Sequence, residues 1–249
     1  MSEKVKPIYS DRRVRKHQNI LITIAVTVVL LLVGSWAIVQ KIQNAGRPSV
    51  NEFPILGMSI DQNDGYQDFA SLKIHDIKFI YFKTTEGSSY TDDNLESNYS
   101  RIKGSEIPFG FSHTVSFDSS AENQFENIVD AVGENRGTLP FVLKVSAYGE
   151  YADSGIPKKK ATKIVQALSN DIKSRYGDDC IIQVDSSSEF LTKNFNRIWY
   201  MSKKQPEASW TIWQYSTDAQ IPGYASSNKY HLSVLNGNNN TLNELIQTP

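Results

Sequence analysis

The sequence predicts an α/β fold: an irregular closed barrel of about five strand–helix units and then three strands, behind one N-terminal transmembrane helix. Three observations carry this. Residues 20–39 hold no charged side chain. From Ile55 onward, eight short apolar runs of strand length recur. Polar stretches of helical length separate the first five of these runs and then give out. Strand–helix repetition predicts a parallel sheet with helices outside, and eight strands in one domain predict closure into a TIM-like barrel.

The membrane segment comes first in the chain. Of 249 residues, 26 are Lys or Arg and 27 are Asp or Glu, so the net charge of −1 offers nothing to a nucleic-acid partner. That balance hides a basic head at residues 1–19, where Lys4, Lys6, Arg12, Arg13, Arg15 and Lys16 face only Glu3 and Asp11. Residues 20–39, ILITIAVTVVLLLVGSWAIV, would span ~30 Å as a helix, the thickness of a bilayer's hydrocarbon core. A cleaved signal peptide has a shorter apolar region that ends in small residues. Here Trp36, Ile38 and Val39 close the run, so an uncleaved signal anchor is expected. The head outweighs Lys41 and Arg47 beyond the span, which predicts a cytoplasmic N-terminus and an extracellular body in a single-pass cell-membrane protein. Residues 40–54, broken by Gly46, Pro48 and Pro54, read as a tether. Residues 55–249 are then the barrel.

Within the barrel the predicted strands are 55–60, 79–84, 108–113, 140–146, 180–184, 197–201, 210–216 and 230–236. The predicted helices are 66–76, 92–104, 119–134 and 158–176. The last places Ala161, Ile164, Val165, Leu168 and Ile172 on one face. After Cys180 the spacers shorten, so the last three strands should follow one another through loops. In such barrels the working groups sit at the C-terminal strand ends.

Those ends hold KTTEGSSYTD (83–92) and WTIWQYS (210–216) followed by PGY (222–224). Together with the order of the eight strands, these motifs resemble glycoside hydrolase family 25, the lysozyme-like N-acetylmuramidases. The resemblance covers nearly all of residues 55–245. It implies a barrel that cuts the β-1,4 bond after N-acetylmuramic acid, with peptidoglycan or a related cell-wall glycan as partner and no cofactor. It also implies a set of carboxylates, because a leaving sugar oxygen must be protonated and the developing anomeric charge offset.

The sequence departs from the family pattern at those carboxylates. The first strand normally ends G-[IV]-D-[VI]-S; here Gly57-Met58-Ser59-Ile60-Asp61 puts Ser59 at the acid position. The fourth normally reads [LV]-D-x-E; here Lys144 and Ser146 replace the acid and the proton donor. The last normally carries Asp, and His231 stands there. Loss of a general acid alone costs ~100- to 10,000-fold. A cation ~4 Å from a developing cationic sugar adds ~4 kcal/mol at an effective dielectric near 20. No catalytic residue is therefore expected at these positions. Asp61 and Glu150 are the possible rescuers.

The substrate-binding residues expected at the strand ends are Glu86, His113, Lys144, Tyr148, Trp199, Trp213 and Tyr215. Aromatic faces stack on sugars, but core packing explains the same residues equally well for Trp213 and Tyr215, and better for Trp210. His113 reads either as a cleft residue or as a satisfied structural histidine. His17, His75, His113 and His231 have no metal-ligand spacing, so no metal is expected. Lys158, Lys159 and Lys160 read as a solvated helix start, and Asn236 to Asn240 as a turn. Cys180, the single cysteine, reads as a small apolar wall residue. Three functions compete: a membrane-anchored, non-hydrolytic glycan binder, a protein-interaction module with an envelope partner, and an active muramidase with relocated acids.

Overall fold

The uncharged segment forms the middle of one 36-residue helix, α1 (Ile8–Gln43). Its portion Arg15–Trp36 is long and apolar enough to cross a membrane, and its large aliphatic side chains are exposed. The structure, a computed structural model, describes residues 8–43, 46–224, 226 and 228–246. Lys4 and Lys6 of the basic head lie outside the described residues.

The second compact unit begins at Gly46. Its strands are β1 (Leu56–Ile60), β2 (Ile77–Glu86), β3 (Tyr90–Thr91), β4 (Phe109–Thr114), β5 (Val142–Val145), β6 (Ile181–Val184), β7 (Ile198–Met201), β8 (Ile212–Ala219) and β9 (Tyr230–Leu235). They pair in the order β1-β9-β8-β7-β6-β5-β4-β2, and a β1–β2 pairing closes the ring at eight strands. The two-residue β3 folds back on the end of β2 as a small antiparallel hairpin. All eight predicted strands are present.

The expectation of about five strand–helix units needs correction. Helices α2 (Phe69–Ile74), α3 (Leu95–Ile102), α4 (Ala121–Val132) and α6 (Lys158–Tyr176) follow the first four barrel strands, and a single-turn α5 (Tyr151–Ser154) precedes α6. After β6 there is only a 3-10 turn, Glu189–Lys193. The parallel sheet also breaks once, because β9 runs antiparallel to both β8 and β1.

Period-two alternation divides the strand residues between two environments. One set points into the barrel and fills its base: Phe79, Tyr81, Val142, Ile181, Trp199, Ile212 and Leu235. The base is closed by α7 (Asn239–Leu245), a helix the sequence reading did not anticipate, through Leu242. Asn238, inside the predicted NGNNN turn, caps that helix by accepting from the Asn240 and Thr241 amides. Room for the rings comes from two glycines. A Cβ on Gly57 would lie 2.2 Å from the Phe79 ring, and one on Gly110 would lie 2.4 Å from Tyr81. The other set packs outward, mostly under the helices; Met58, Phe82, Phe111, Leu143 and Cys180 belong to it.

Among the described residues of this unit, no helix covers the β7–β9 flank. Phe53 takes that place, with its ring 5.5 Å from Trp210 and 6.1 Å from Trp213. Arg47 is also packed, with its side chain 8% exposed. Residues 46–54 therefore cover the barrel wall.

Candidate functional site

Most inward positions in the strands are buried, but those at the rim where the parallel strands end, and where the antiparallel β9 begins, are half-exposed. Ser59, Lys83, Ser112, Lys144, Met201 and His231 form this set, and they mark where the barrel opens. Ser59 and His231 sit opposite one another across the β1–β9 pairing. Lys144 lies beside Gln183 of β6. A bulge in the β2–β4 register between Lys83 and Thr85 lets Lys83 and Glu86 meet, although they are three residues apart. Their Nζ–Oε2 distance is 2.8 Å, and Lys83 also lies over the Tyr90 ring. Burial works most strongly against the Lys83 charge, yet the Glu86 hydrogen bond and the attraction of Glu86, Tyr90 and Asp61 together outweigh it and raise the amine overall.

The mouth is polar and of mixed sign. Burial, and then Lys83, hold the Lys144 amine below the ordinary lysine range; Glu86, Asp61 and Asp185 oppose this. Burial, and then Lys144, likewise lower His231. Beneath them Gln183 Nε2 donates to Gln214 Oε1 at 3.1 Å, bridging the interior above the apolar base.

The carboxylates around the mouth, Glu150 apart, are committed to local structure. Asp61 accepts from the Asn63 amide at 2.8 Å and caps the 3-10 turn Gln62–Asp64. Asp64 accepts from the Asp61 amide, and burial pushes its carboxyl up to about 6. Asp185 accepts from the amide and hydroxyl of Ser187. Glu150 is exposed at the start of α5 and caps nothing with its side chain. Ser146 is half-buried just past β5.

The expected binding residues divide. Glu86, Lys144 and Tyr148 are at the mouth, and Tyr148 is half-buried and stacked on Phe117 at 6.2 Å. Trp199 is not a cleft residue: it is 1% exposed and packs with Tyr81 in the base. Trp213 and Tyr215 are not in the mouth either. They alternate with the inward Ile212 and Gln214, so they face outward, where Trp213 packs with Phe53, Trp210 and Tyr215. Trp213 Nε1 donates to the Ser202 carbonyl. The core reading holds for all three.

His113 is also corrected. It is fully buried outside the barrel, with Nδ1 2.8 Å from Thr85 Oγ1 and Nε2 3.0 Å from Gln124 Oε1 on α4. Burial drives its pKa down to about 4. A histidine depressed in the folded state takes up its proton mainly on unfolding, so stability falls as pH drops from about 6.5 towards 4. Asp64 runs the other way, because a raised carboxyl favours the folded state as pH falls. A difference measurement separates them. Urea unfolding at pH 7.5 and pH 4.5 should show wild type losing about 2–3 kcal/mol more than His113→Gln.

Lys83, Ser112 and the Gln183–Gln214 bridge were not singled out from the sequence. The alternation that places them is visible there, but not which face of a strand turns inward. Beyond Asp185 the mouth continues into a cleft of about 590 Å³, lined by Glu189, Tyr200, Met201 and Lys204 among others.

The family model for glycosyl hydrolases family 25 matches residues 58–224. Lysozyme M1 of Streptomyces globisporus is 24% identical over 206 residues, covering 72% of this chain and 69% of the relative. The autolytic lysozyme of Clostridium acetobutylicum is 23% identical over 184 residues; the match covers 69% of this chain but only 53% of that protein. A family 25 glycosyl hydrolase from Bacillus anthracis superposes with a TM-score of 0.73 at 25% identity, over 80% of this chain and 97% of that one. A bacterial lysozyme from Streptomyces coelicolor gives 0.66 at 23% identity, over 77% and 96%.

Proposed function

This chain belongs to glycosyl hydrolase family 25, and on that footing we propose that its barrel binds peptidoglycan or a related cell-wall glycan without hydrolysing it, anchored by α1. The observation that supports this is the content of the mouth. Ser59, Lys144, Ser146 and His231 occupy the positions where the resemblance places acids. None of them carries a carboxyl group. Of the carboxylates that remain nearby, Glu86 is ion-paired, Asp61 and Asp64 form a capping box and Asp185 is bound to a serine, while Glu150 is exposed on the rim. A serine hydroxyl is far too weak an acid to protonate a leaving sugar oxygen, and a buried lysine supplies no negative charge to offset an oxocarbenium ion.

Binding needs less. Tyr148 offers a ring at the rim, Glu86 a hydrogen-bond acceptor, and the adjoining cleft falls in the volume range of small-ligand sites. A pull-down of the full chain in detergent on purified peptidoglycan tests this. Wild type should pellet with the wall and release no muropeptides. Tyr148→Ala should weaken retention by up to about tenfold, the loss of one aromatic contact. Equal retention of wild type and a wall-free control would refute the glycan-binding reading and favour a protein-interaction module.

The apolar stretch of α1 and the basic residues before it support the anchored topology. Protease added to cells stripped of wall should digest the barrel; full protection of the barrel would contradict it.

A further inference from the structure

Lys144 is unlike the other inward lysine. Lys83 is tied to Glu86 at 2.8 Å. Among the described residues, the Lys144 ammonium has neither a hydrogen bond nor an ion pair. The nearby carboxylates are engaged elsewhere, Asp61 by the Asn63 amide and Asp185 by Ser187. Lys144 is also half-buried, pointing into the mouth on the same face as the inner-core residue Val142. An amine that loses hydration and gains no partner favours its neutral form.

Every charged group facing it is accounted for. Lys83 on β2 lowers the amine after burial has done so, while Glu86 on β2, Asp61 beyond β1 and Asp185 beyond β6 pull the other way. The net direction is down. His231 on β9 is itself lowered by burial and by Lys144, so it faces the amine uncharged at neutral pH. A desolvated lysine beside a second cation, open to solvent on one side, is the arrangement that activates amines towards carbonyl compounds.

We propose that Lys144 is a nucleophilic amine that captures the open-chain aldehyde of a reducing sugar at the barrel mouth as an imine. The Nζ lone pair adds to the aldehyde carbon, and the carbonyl π pair moves to oxygen, which takes a proton as nitrogen gives one up. The carbinolamine then expels its hydroxyl group with one proton as water, leaving a C=N bond. No electrons are exchanged, and hydrolysis reverses each step. The cleft that begins at Asp185 has room for the rest of such a sugar. The proposal goes beyond glycan binding and does not depend on it, because it rests on the placement of Lys144 alone.

The test uses the full chain in detergent with glycolaldehyde and cyanoborohydride at pH 6.5, read by peptide mapping in a mass spectrometer. The exposed Lys159 and Lys160 on α6 serve as internal standards. Lys144 should be alkylated on the order of tenfold faster than either. In Lys83→Met the repulsive cation is gone and Glu86 is released, both of which favour the charged amine, so labelling of Lys144 should slow. A Lys144 rate no higher than that of Lys159, or one unchanged in Lys83→Met, would overturn the proposal. Peptidoglycan retention measured on the same preparation reports separately on the binding function.

Discussion

Converting Ser59→Asp, Lys144→Asp, Ser146→Glu and His231→Asp together is expected to give measurable peptidoglycan hydrolysis where wild type gives none. No single member of the four should do so. The reason is that the chemistry needs two things at once, a proton for the leaving oxygen and negative charge beside the anomeric carbon. Restoring a general acid alone returns ~100- to 10,000-fold, but Lys144, charged or neutral, supplies no negative charge to offset the developing sugar cation. Converting Lys144 to Asp alone supplies that charge and no proton donor. The backbone is suited to the exchange, since Ser59 and His231 already face one another across paired strands. Weak rather than full activity is expected, because neighbours such as Lys83 and Glu86 now pair with each other and were not arranged to support four added carboxylates. Release of reducing ends from purified wall, compared across the four single variants and the quadruple variant, gives the answer. A quadruple variant that folds, binds the wall and stays silent would mean that these positions are not where the acids belong.

The second large effect is on stability. Trp199→Ala is expected to destabilise the barrel by about 3–5 kcal/mol, as for a buried aromatic cut back to a methyl group. For a barrel of this size that corresponds to a fall in Tm of roughly 6–20 °C. Trp199 is 1% exposed, its ring lies 5.0 Å from Tyr81, and it stands in the apolar base rather than in the cleft. The folded fraction of Trp199→Ala should therefore hold wall material as well as wild type does. Tyr148→Ala should do the opposite, weakening retention with little change in Tm. Thermal unfolding and retention measured on both variants distinguish a core tryptophan from a sugar platform.

These contrasts show what could be read from the chain and what could not. The eight strands were legible because apolar runs and helical spacers alternate, and α6 was legible because its buried face repeats at helical spacing. The face of each strand was not. In a barrel both faces are covered, so Trp213 and Ile212 look alike in sequence although one packs outward against Phe53 and the other fills the base. His113 went astray for the same reason, being a strand-end histidine on the helix side. The meeting of Lys83 with Glu86 depends on a bulge, which shifts parity without a sequence mark. Helix α7 hid behind asparagines, which favour caps and turns, and here one of them does cap the helix. Phe53 was read as tether because its neighbours are polar. Only the bare β7–β9 flank shows what it covers.

Relocated acids are the specific rival to silence, and Asp64 is the residue that gives the idea physical content. Burial pushes its carboxyl up to about 6, a value suited to a general acid. Against this, its Oδ2 is occupied by the Asp61 amide within a capping box that shapes the loop.

The most direct measurement is muropeptide release from purified peptidoglycan by the wild-type chain over pH 4–8, on the preparation shown to pellet with the wall. Retention with no release is expected at every pH in that range. Clear turnover, abolished by Asp61→Asn, Asp64→Asn or Glu150→Gln, would contradict it and make the barrel an active muramidase with relocated acids.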